Sequence, residues 1–139
     1  MKTFVSNSAK ETEKIAYNFA KTLSQGDIVA LSGELGAGKT AFVKGIAKYF
    51  NISGETSSPT FTIVNEYNGD IDLFHFDAYR LENIDETNLD WLDDYLFGDG
   101  ICLIEWAENI TSILPDGYIK IDITKNPDSG SDYREITIC

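Results

Sequence analysis

One eight-residue stretch carries the pattern G-x-x-x-x-G-K-T, which is typical of loops that bind phosphate groups. It runs from Gly33 to Thr40 and reads GELGAGKT. Its glycines allow consecutive backbone N–H groups to line a concave anion site, because no Cβ atoms obstruct the turn. Lys39 would place a positive charge on the β- and γ-phosphates, and the Thr40 hydroxyl would be a magnesium ligand. The alternative, a glycine-rich turn that only caps a helix, is disfavoured because the pattern arises by chance in roughly one chain of this length in two hundred.

A phosphate loop also needs an acidic residue on a neighbouring strand to hold the metal. Four apolar residues, Ile101 to Ile104, are followed directly by Glu105, and ligands of open α/β sheets bind at the carboxyl ends of strands. Three roles stay open for Glu105: a direct magnesium ligand, a ligand through water, or a residue that orients the attacking water. The non-functional alternative is a solvated acid in a loop, because such acids are common at protein surfaces.

The segment HFDAYR, from His75 to Arg80, brings further polar side chains to the end of another predicted strand. Asp77 is the better candidate for chemistry here, and it lies two residues after His75, on the same strand face. A carboxylate at this position could orient water or contact the hydration shell of the metal. His75, the only histidine, is interpreted as a hydrogen-bonded structural residue. Arg80 is expected to pair with a nearby acid rather than to act as a phosphate-sensing finger.

Three other features have more than one interpretation. The segment from Ser57 to Thr60 is either ordered by a γ-phosphate or a simple proline turn. Trp106 is a core residue, a platform at the site or a contact for a partner. The acidic cluster between Glu82 and Asp94 is most simply a solvated helix face.

The phosphate loop is expected to join a buried strand to an amphipathic helix. Ile28 to Leu31 is a short apolar run between turn signals, which suits a strand covered on both faces. After the loop, apolar residues recur at helical spacing as far as Phe50. A separate first helix is predicted from a capping box at Ser8 and Glu11 to about Leu23.

Strands and short helices alternate over the rest of the chain. One hairpin is predicted to turn at Asn68-Gly69, where both residues would adopt positive φ, and a second hairpin closes the chain. The four strands are Phe61 to Tyr67, Ile71 to Phe76, Tyr118 to Thr124 and Tyr133 to Ile138. One or two short helices are predicted between Glu82 and Phe97, with Leu89, Leu92 and Leu96 inward, and another helix should end at Leu114. The prediction is an α/β fold, a single P-loop NTPase-like domain over residues 1–139, with one mixed sheet and helices on both faces.

Composition narrows the classes of function. The 139 residues carry a formal net charge of −12, which disfavours extensive direct contact with nucleic acid or anionic lipid. Cys102 and Cys139 cannot form a disulfide framework, so reduced thiols in a cytosolic protein are expected. Neither a signal peptide nor an apolar run of ~20 residues is visible, so no membrane association is expected.

Together these segments resemble one family, the TsaE ATPases of bacterial threonylcarbamoyladenosine tRNA modification. The resemblance rests on four strings in the family's order and spacing: GELGAGKT at Gly33–Thr40, SPTF at Ser58–Phe61, HFDAYR at His75–Arg80 followed by Leu81, and IEW at Ile104–Trp106. The leading helix with Thr12 also fits. The resemblance therefore covers essentially the whole chain.

The resemblance implies a small cytoplasmic ATPase that uses ATP and Mg²⁺. It would dock on the protein complex that makes the modified adenosine at position 37 of certain tRNAs. ATP use there supports repeated turnover by the partner enzymes, while this subunit does not itself transfer the threonylcarbamoyl group.

The resemblance also implies roles for individual residues. Lys39, Asp77 and Glu105 would be catalytic, and Thr40 and Glu105 would be the magnesium ligands. Ser58–Phe61 would be the first switch, with Asp77 in or near the second. Nucleotide contacts would come from the loop, from the first helix near the adenine and from the last strand: Thr12, Gly33, Glu34, Leu35, Gly36, Ala37, Gly38, Lys39, Thr40, Ala41 and Arg134.

Two departures from the family pattern and three competing functions remain. Glu34 replaces the common Asp, and Ala107 stands where the family usually has Pro. A small-molecule or nucleoside kinase is the main alternative, but kinases generally need a cationic lid, and Arg80 and Arg134 are the only arginines. A GTPase is disfavoured because no N-K-x-D motif is present. A nucleotide sensor without catalysis is the last alternative.

Overall fold

The computed structural model describes residues 1–34, 37–52, 64–81 and 90–139, without the side chains of residues 80, 81 and 90. Several predictions lie outside the described residues. These are the nucleotide contacts of Leu35 and Gly36, the switch segment at Ser58–Phe61, the inward position of Leu89 and the pairing of Arg80.

The described residues form one mixed sheet of seven strands. The strands are β1 (Lys2–Ser6), β2 (Ile28–Gly33), β3 (Val64–Tyr67), β4 (Leu73–Asp77), β5 (Ile101–Glu105), β6 (Ile119–Lys125) and β7 (Arg134–Ile138). Their order in the sheet is β1-β7-β6-β2-β5-β4-β3. The central strands β6, β2, β5 and β4 are parallel, and antiparallel pairs flank them on both sides. The mixed α/β sheet expected from the sequence is confirmed.

Three α-helices and several 3-10 segments accompany the sheet in the described ranges. The α-helices are α1 (Ala9–Ala20), α2 (Lys39–Tyr49) and α3 (Asp93–Leu96). The 3-10 segments are Ala78–Leu81, Asp90–Leu92, Ala107–Ile113 and Pro127–Ser129. No helix in these ranges is long and apolar enough to cross a bilayer.

The start of α1 was predicted correctly, and its end lies earlier than predicted. The Ser8 hydroxyl accepts the Glu11 N–H at 3.1 Å, as the capping box predicts. The Glu11 carboxylate also reaches back, but it accepts the N–H of Asn7 at 2.7 Å, one residue before the N-cap residue whose N–H a capping box usually satisfies. The α-helix ends at Ala20. The chain then continues in tighter turns, with the Leu23 N–H bonded to the Ala20 carbonyl at 3.1 Å. Helical spacing of apolar residues therefore extends beyond the α-helix itself.

Apolar side chains fill both faces of the sheet. Strand β2 shows the division, because Val29 and Leu31 face one core while Ile28 and Ala30 face the other. The first core is covered by α1 and α2, and the second by α3 and the 3-10 segment Ala107–Ile113. This two-sided burial explains why β2 and β5 contain continuous apolar runs.

Close contact between α1 and α2 fixes the helix that follows the phosphate loop. At Gly45, in the middle of α2, an added Cβ would collide with the Glu13 carbonyl oxygen and lie 2.6 Å from the Ala16 Cβ. A glycine is therefore required for the two backbones to approach this closely. Lys48 and Glu13 add an ion pair at 3.2 Å on the surface of the same contact.

The first predicted hairpin is present, but the conformation predicted for its turn is wrong. Tyr67 pairs with Leu73, and neither Asn68 nor Gly69 has positive φ. The Asp70 N–H donates to the Phe50 carbonyl at 2.7 Å, and the Asp70 carboxylate accepts from the Asn51 side chain at 2.7 Å. These bonds hold the segment between β3 and β4 against the end of α2. Because Tyr67 pairs with Leu73, the segment is longer than a two-residue turn.

Other predictions require smaller corrections. The second strand of this hairpin begins at Leu73 instead of Ile71 and includes Asp77. The predicted helix before Leu114 is a 3-10 segment. Strand β1 was not predicted. Its exposed Phe4 and Val5 give no alternation of buried and polar residues, because among the described strands β1 lies at the edge of the sheet and pairs with β7 alone.

Candidate functional site: a phosphate loop beside a buried carboxylate

The phosphate loop lies between the end of β2 at Gly33 and the start of α2 at Lys39, as predicted. Gly38 precedes the helix with φ of 106°, a left-handed conformation that favours glycine. Its carbonyl accepts the first helical bond from the Phe42 N–H at 3.0 Å. Gly38 has no side chain to bond the N–H groups of the first turn, so these groups and the positive end of the helix dipole suit an anion.

Arg134 supports the loop from the last strand. Its Nε donates to the Ala37 carbonyl at 3.0 Å, and one terminal nitrogen donates to the carbonyls of Ser131 at 2.9 Å and Tyr133 at 2.8 Å. Ala37 itself is buried, while Glu34 is exposed. Arg134 therefore lies at the phosphate loop, and its guanidinium holds the backbone of that loop.

Lys39, Glu105 and His75 form a buried cluster of charged and polar groups. Lys39 Nζ lies 3.5 Å from Glu105 Oε1, with the two side chains 11% and 9% exposed. His75 Nε2 lies 2.7 Å from Glu105 Oε2, and His75 is 1% exposed. The two oxygens of Glu105 thus have different neighbours, the phosphate-loop lysine on one side and the histidine on the other.

Strand register brings the predicted acids together. Asp77 aligns with Glu105 between β4 and β5, and Glu105 aligns with Leu31 between β5 and β2. Asp77 and Glu105 are the last residues of two parallel strands, and ligands of α/β sheets bind at such carboxyl ends. Glu105 is the last residue of β5 and only 7% exposed. The alternative that Glu105 is a solvated loop acid is therefore wrong.

The pKa of the Glu105 carboxyl lies below its usual value, although burial alone would raise it. The hydrogen bond from His75 and the nearby Lys39 ammonium lower the pKa of Glu105 by more than burial raises it, because both favour the charged form. Glu105 is therefore a carboxylate at neutral pH. A buried carboxylate beside a phosphate loop offers hard oxygen donors of the kind that Mg²⁺ prefers.

Asp77 has a defined orientation at the end of β4. Its Oδ1 accepts the Tyr79 N–H at 3.0 Å, a local bond that turns the chain out of the strand. Asp77 is half-buried and lies next to Glu105 in the register. Its position fits a contact with water or the hydration shell of a metal.

Trp106 lies over the phosphate-loop lysine. It adopts φ of 60° and ψ of 37°, which is uncommon for a bulky residue. Trp106 is 41% exposed, so the interpretation as a core residue is wrong. Lys39 Nζ lies 5.5 Å from the centroid of the Trp106 ring, and the Tyr79 ring packs against Trp106 with 5.1 Å between the ring centroids. The strained turn after Glu105 therefore provides an aromatic platform at the site.

Thr12 and Thr40 occupy different environments. Thr12 in α1 is buried, its hydroxyl lies 2.8 Å from the Ser6 hydroxyl, and its methyl group lies beside Gly38. Thr40 and Ala41 are in the first turn of α2, with the Thr40 side chain exposed. The structure thus brings Thr12 to the phosphate loop, and its contact with adenine stays a prediction.

Sequence reasoning missed the partner of Glu105, because His75 was interpreted only as a structural residue. The signal was present in the spacing. His75 and Asp77 end one buried strand, Glu105 ends another, and neighbouring parallel strands align their ends. A side chain two residues before the end of one strand can then reach the last residue of the next.

Comparison with known proteins shows the family to which the chain is similar. A family model described as "Threonylcarbamoyl adenosine biosynthesis protein TsaE" matches residues 6–136. A Bacillus subtilis (strain 168) protein named tRNA threonylcarbamoyladenosine biosynthesis protein TsaE is 46% identical over 129 residues, or 92% of this chain and 78% of the relative. A Treponema pallidum (strain Nichols) protein of the same name is 38% identical over 134 residues, or 96% and 97% of the two chains.

A solved structure shows the same fold. The crystal structure of Bacillus subtilis YdiB superposes with a TM-score of 0.79 at 38% sequence identity, covering 99% of this chain and 83% of that one. The family model, the curated relatives and this structure agree with the family resemblance inferred from the sequence. The chain belongs to the TsaE family of tRNA threonylcarbamoyladenosine biosynthesis proteins.

Proposed function

We propose that this chain is a magnesium-dependent ATPase. In the cytoplasm, it supports partner proteins that form threonylcarbamoyladenosine in tRNA, and residues 1–139 act as one ATPase domain. The observation that carries the proposal is the approach of Lys39 Nζ to Glu105 Oε1 at 3.5 Å, beside the start of α2. A phosphate lysine, a strand-end carboxylate and a helix N-terminus at one point are the parts that phosphoryl transfer needs.

The phosphate groups of ATP would lie against the loop. Backbone N–H groups near Gly38 and in the first turn of α2 would donate to the phosphate oxygens, and Lys39 would contact the β- and γ-phosphates. Trp106 limits the positions open to the Lys39 ammonium, since the ring lies 5.5 Å from it. Arg134 keeps the loop in place through the Ala37 carbonyl at 3.0 Å.

The residues present fit a magnesium ion. Thr40 would hold it through its hydroxyl and Glu105 through its carboxylate, directly or through water. Magnesium usually takes one or two protein ligands and completes its shell with phosphate oxygens and water, and it screens the charge on the transferring phosphoryl group. Asp77, next to Glu105 in the sheet register, would orient the attacking water.

A protein partner is proposed because Arg80 and Arg134 are the only arginines of the sequence, too few for the cationic lid that phosphotransferases generally use. Arg134 is engaged with three backbone carbonyls, so it is not available as a lid residue. Tyr79 and Trp106 present exposed rings beside the site, and aromatic residues are enriched where proteins meet. The net charge of −12 favours a protein surface over bare tRNA.

The test compares hydrolysis of ATP and GTP by the purified protein, alone and with the TsaE-associated partner proteins. For the protein by itself, we expect slow, magnesium-dependent hydrolysis of ATP and not of GTP. When the partners are added, we expect ATP-dependent association and faster hydrolysis. If neither association nor stimulation is seen, while ATP phosphorylates a small molecule at good rate, the kinase alternative replaces this proposal.

A further inference from the structure

His75 is a buried polar residue with no role in the proposed function so far. It lies two residues before the end of β4, is 1% exposed and bonds Glu105 Oε2 through Nε2 at 2.7 Å. Its other ring nitrogen, Nδ1, is buried with no hydrogen-bond partner among the described residues. A buried polar atom without a partner costs free energy, so the Nε2 bond to Glu105 is the interaction that justifies a histidine here.

The direction of this bond follows from the chemistry of its two groups. A carboxylate only accepts hydrogen bonds, so His75 Nε2 must carry the proton that is shared with Glu105. The Nε2–H tautomer leaves Nδ1 as a bare acceptor, which is less costly to bury unpaired than a charged ring. The histidine therefore donates one bond, in one fixed direction, to one oxygen of Glu105.

That bond determines which oxygen of Glu105 faces the phosphate loop. With Oε2 held by His75, the carboxylate cannot rotate about its last bond without losing the 2.7 Å contact. Oε1 then stays 3.5 Å from Lys39, on the side where the phosphates and metal would lie. Donors of this kind, placed behind a metal ligand, are known to orient the ligand and to raise its affinity for the metal.

We propose that His75 is a positioning residue for Glu105: its Nε2–H holds Oε2 so that Oε1 faces the phosphate loop and the magnesium ion. This rests on the proposed function, since it assigns a purpose to the Glu105 orientation in a magnesium-dependent ATPase. His75 itself touches neither the nucleotide nor the metal. Its effect should therefore appear in metal use and turnover and not in nucleotide binding without metal.

A first test reads the tautomer directly and needs no activity. His75 is the only histidine of the sequence, so protein labelled with ¹⁵N-histidine gives one imidazole in a long-range ¹H–¹⁵N spectrum. We expect the pattern of a ring protonated at Nε2. A ring protonated only at Nδ1 would overturn the proposal, because such a ring cannot donate to Glu105 Oε2.

A second test compares two amides of different reach. The His75→Gln side chain can place an N–H near the position of Nε2, whereas the shorter His75→Asn side chain reaches only the position of Nδ1. We expect His75→Asn to raise the Mg²⁺ concentration for half-maximal hydrolysis, or to lower kcat, by about 10- to 100-fold. His75→Gln should recover most of the loss. ADP affinity measured in EDTA should be unchanged in both variants.

Three outcomes would overturn the positioning role, and a fourth would overturn the proposed function. Equal metal dependence and kcat in His75→Asn and the unchanged protein would overturn the positioning role, as would equal losses in His75→Asn and His75→Gln. When Glu105→Gln is already present, adding His75→Asn should lower kcat little further. If His75→Asn lowers kcat as much in that background as in the unchanged protein, the positioning role would also be overturned. If the unchanged protein shows no magnesium-dependent hydrolysis, the proposed function fails first, and this proposal fails with it.

Discussion

At the scale of single residues, the site depends on charges held close together in a buried place. Lys39 is attracted both by the Glu105 carboxylate and by the face of Trp106. Glu105 keeps its negative charge against the effect of burial because His75 and Lys39 lie beside it. Removing any one of these groups leaves another without its partner. The resulting losses of nucleotide binding, turnover and stability should be measurable separately.

We expect Lys39→Ala to weaken ATP–Mg²⁺ binding by about 100-fold or more and to abolish hydrolysis, since a charge-assisted phosphate contact contributes about 3 kcal/mol. Glu105 retains its bond to His75, so the variant should still fold. Calorimetric titration with ATP measures the loss. Lys44→Ala is the matched control, because Lys44 is an exposed lysine on the same helix. Wild-type affinity and hydrolysis in Lys39→Ala would contradict the assignment of the loop.

Glu105→Gln should lower kcat by more than it weakens ATP binding. The loop and Lys39 still contact the phosphates, while the charge that holds the metal is gone. Parallel measurements of nucleotide affinity and turnover test this. Glu108→Gln serves as control, since Glu108 is exposed on the following 3-10 segment. Turnover equal to that of the unchanged protein would remove Glu105 from the catalytic residues.

The lowered pKa of Glu105 also predicts a dependence of stability on pH. A carboxyl whose pKa is lower in the folded state stabilises the protein at every pH above the usual carboxyl pKa of 4.5. This stabilisation is lost as the pH falls through the folded-state pKa. Relative to Glu105→Gln, the unchanged protein should therefore lose stability as the solution is acidified below about pH 4.5. Urea unfolding of both proteins between neutral and acidic pH measures the difference. A difference that does not vary with pH would mean that the carboxyl pKa is not lowered by folding.

At the scale of elements, the position of α2 depends on its contact with α1. Gly45→Ala places a Cβ against the Glu13 carbonyl and the Ala16 side chain, so the helices must separate. Overpacking of this kind costs about 1–3 kcal/mol, more than the ~1 kcal/mol that alanine gains over glycine in a helix. Thermal unfolding should show a lower Tm for Gly45→Ala. An unchanged or higher Tm would show that the two helices can move apart without cost.

Elements also show how far the sequence could predict this fold. The sequence predicts the strand, loop and helix around the phosphate-binding motif, which are Ile28–Leu31, Gly33–Thr40 and the start of α2. These predictions succeed because the spacing of apolar residues, the glycine pattern and the capping residues are local signals. The turn at Asn68-Gly69 was predicted wrongly, because Phe50 and Asn51 hold that connection from another element. Strand β1 was missed and the His75–Glu105 bond was not foreseen, since both depend on which strands become neighbours.

At the scale of the whole molecule, charge should determine which macromolecules the protein binds by itself. With a formal net charge of −12, the chain repels the phosphate backbone of RNA. We expect no binding of labelled tRNA by the isolated protein in fluorescence anisotropy at physiological salt. A complex with the partner proteins should bind tRNA under the same conditions. Tight binding by the isolated protein would contradict the proposal that its partners hold the tRNA.

The pairing of β1 with β7 has a consequence for how the protein is made. Lys2 aligns with Ile138, so this pair closes a loop of nearly the whole chain, and such contacts form late because their entropic cost is high. Arg134, the first residue of β7, is also the residue that bonds the Ala37 carbonyl in the phosphate loop. A chain still emerging from the ribosome has the loop but not yet its support. We therefore expect the ability to hold a nucleotide to be acquired only when the last strand joins the sheet.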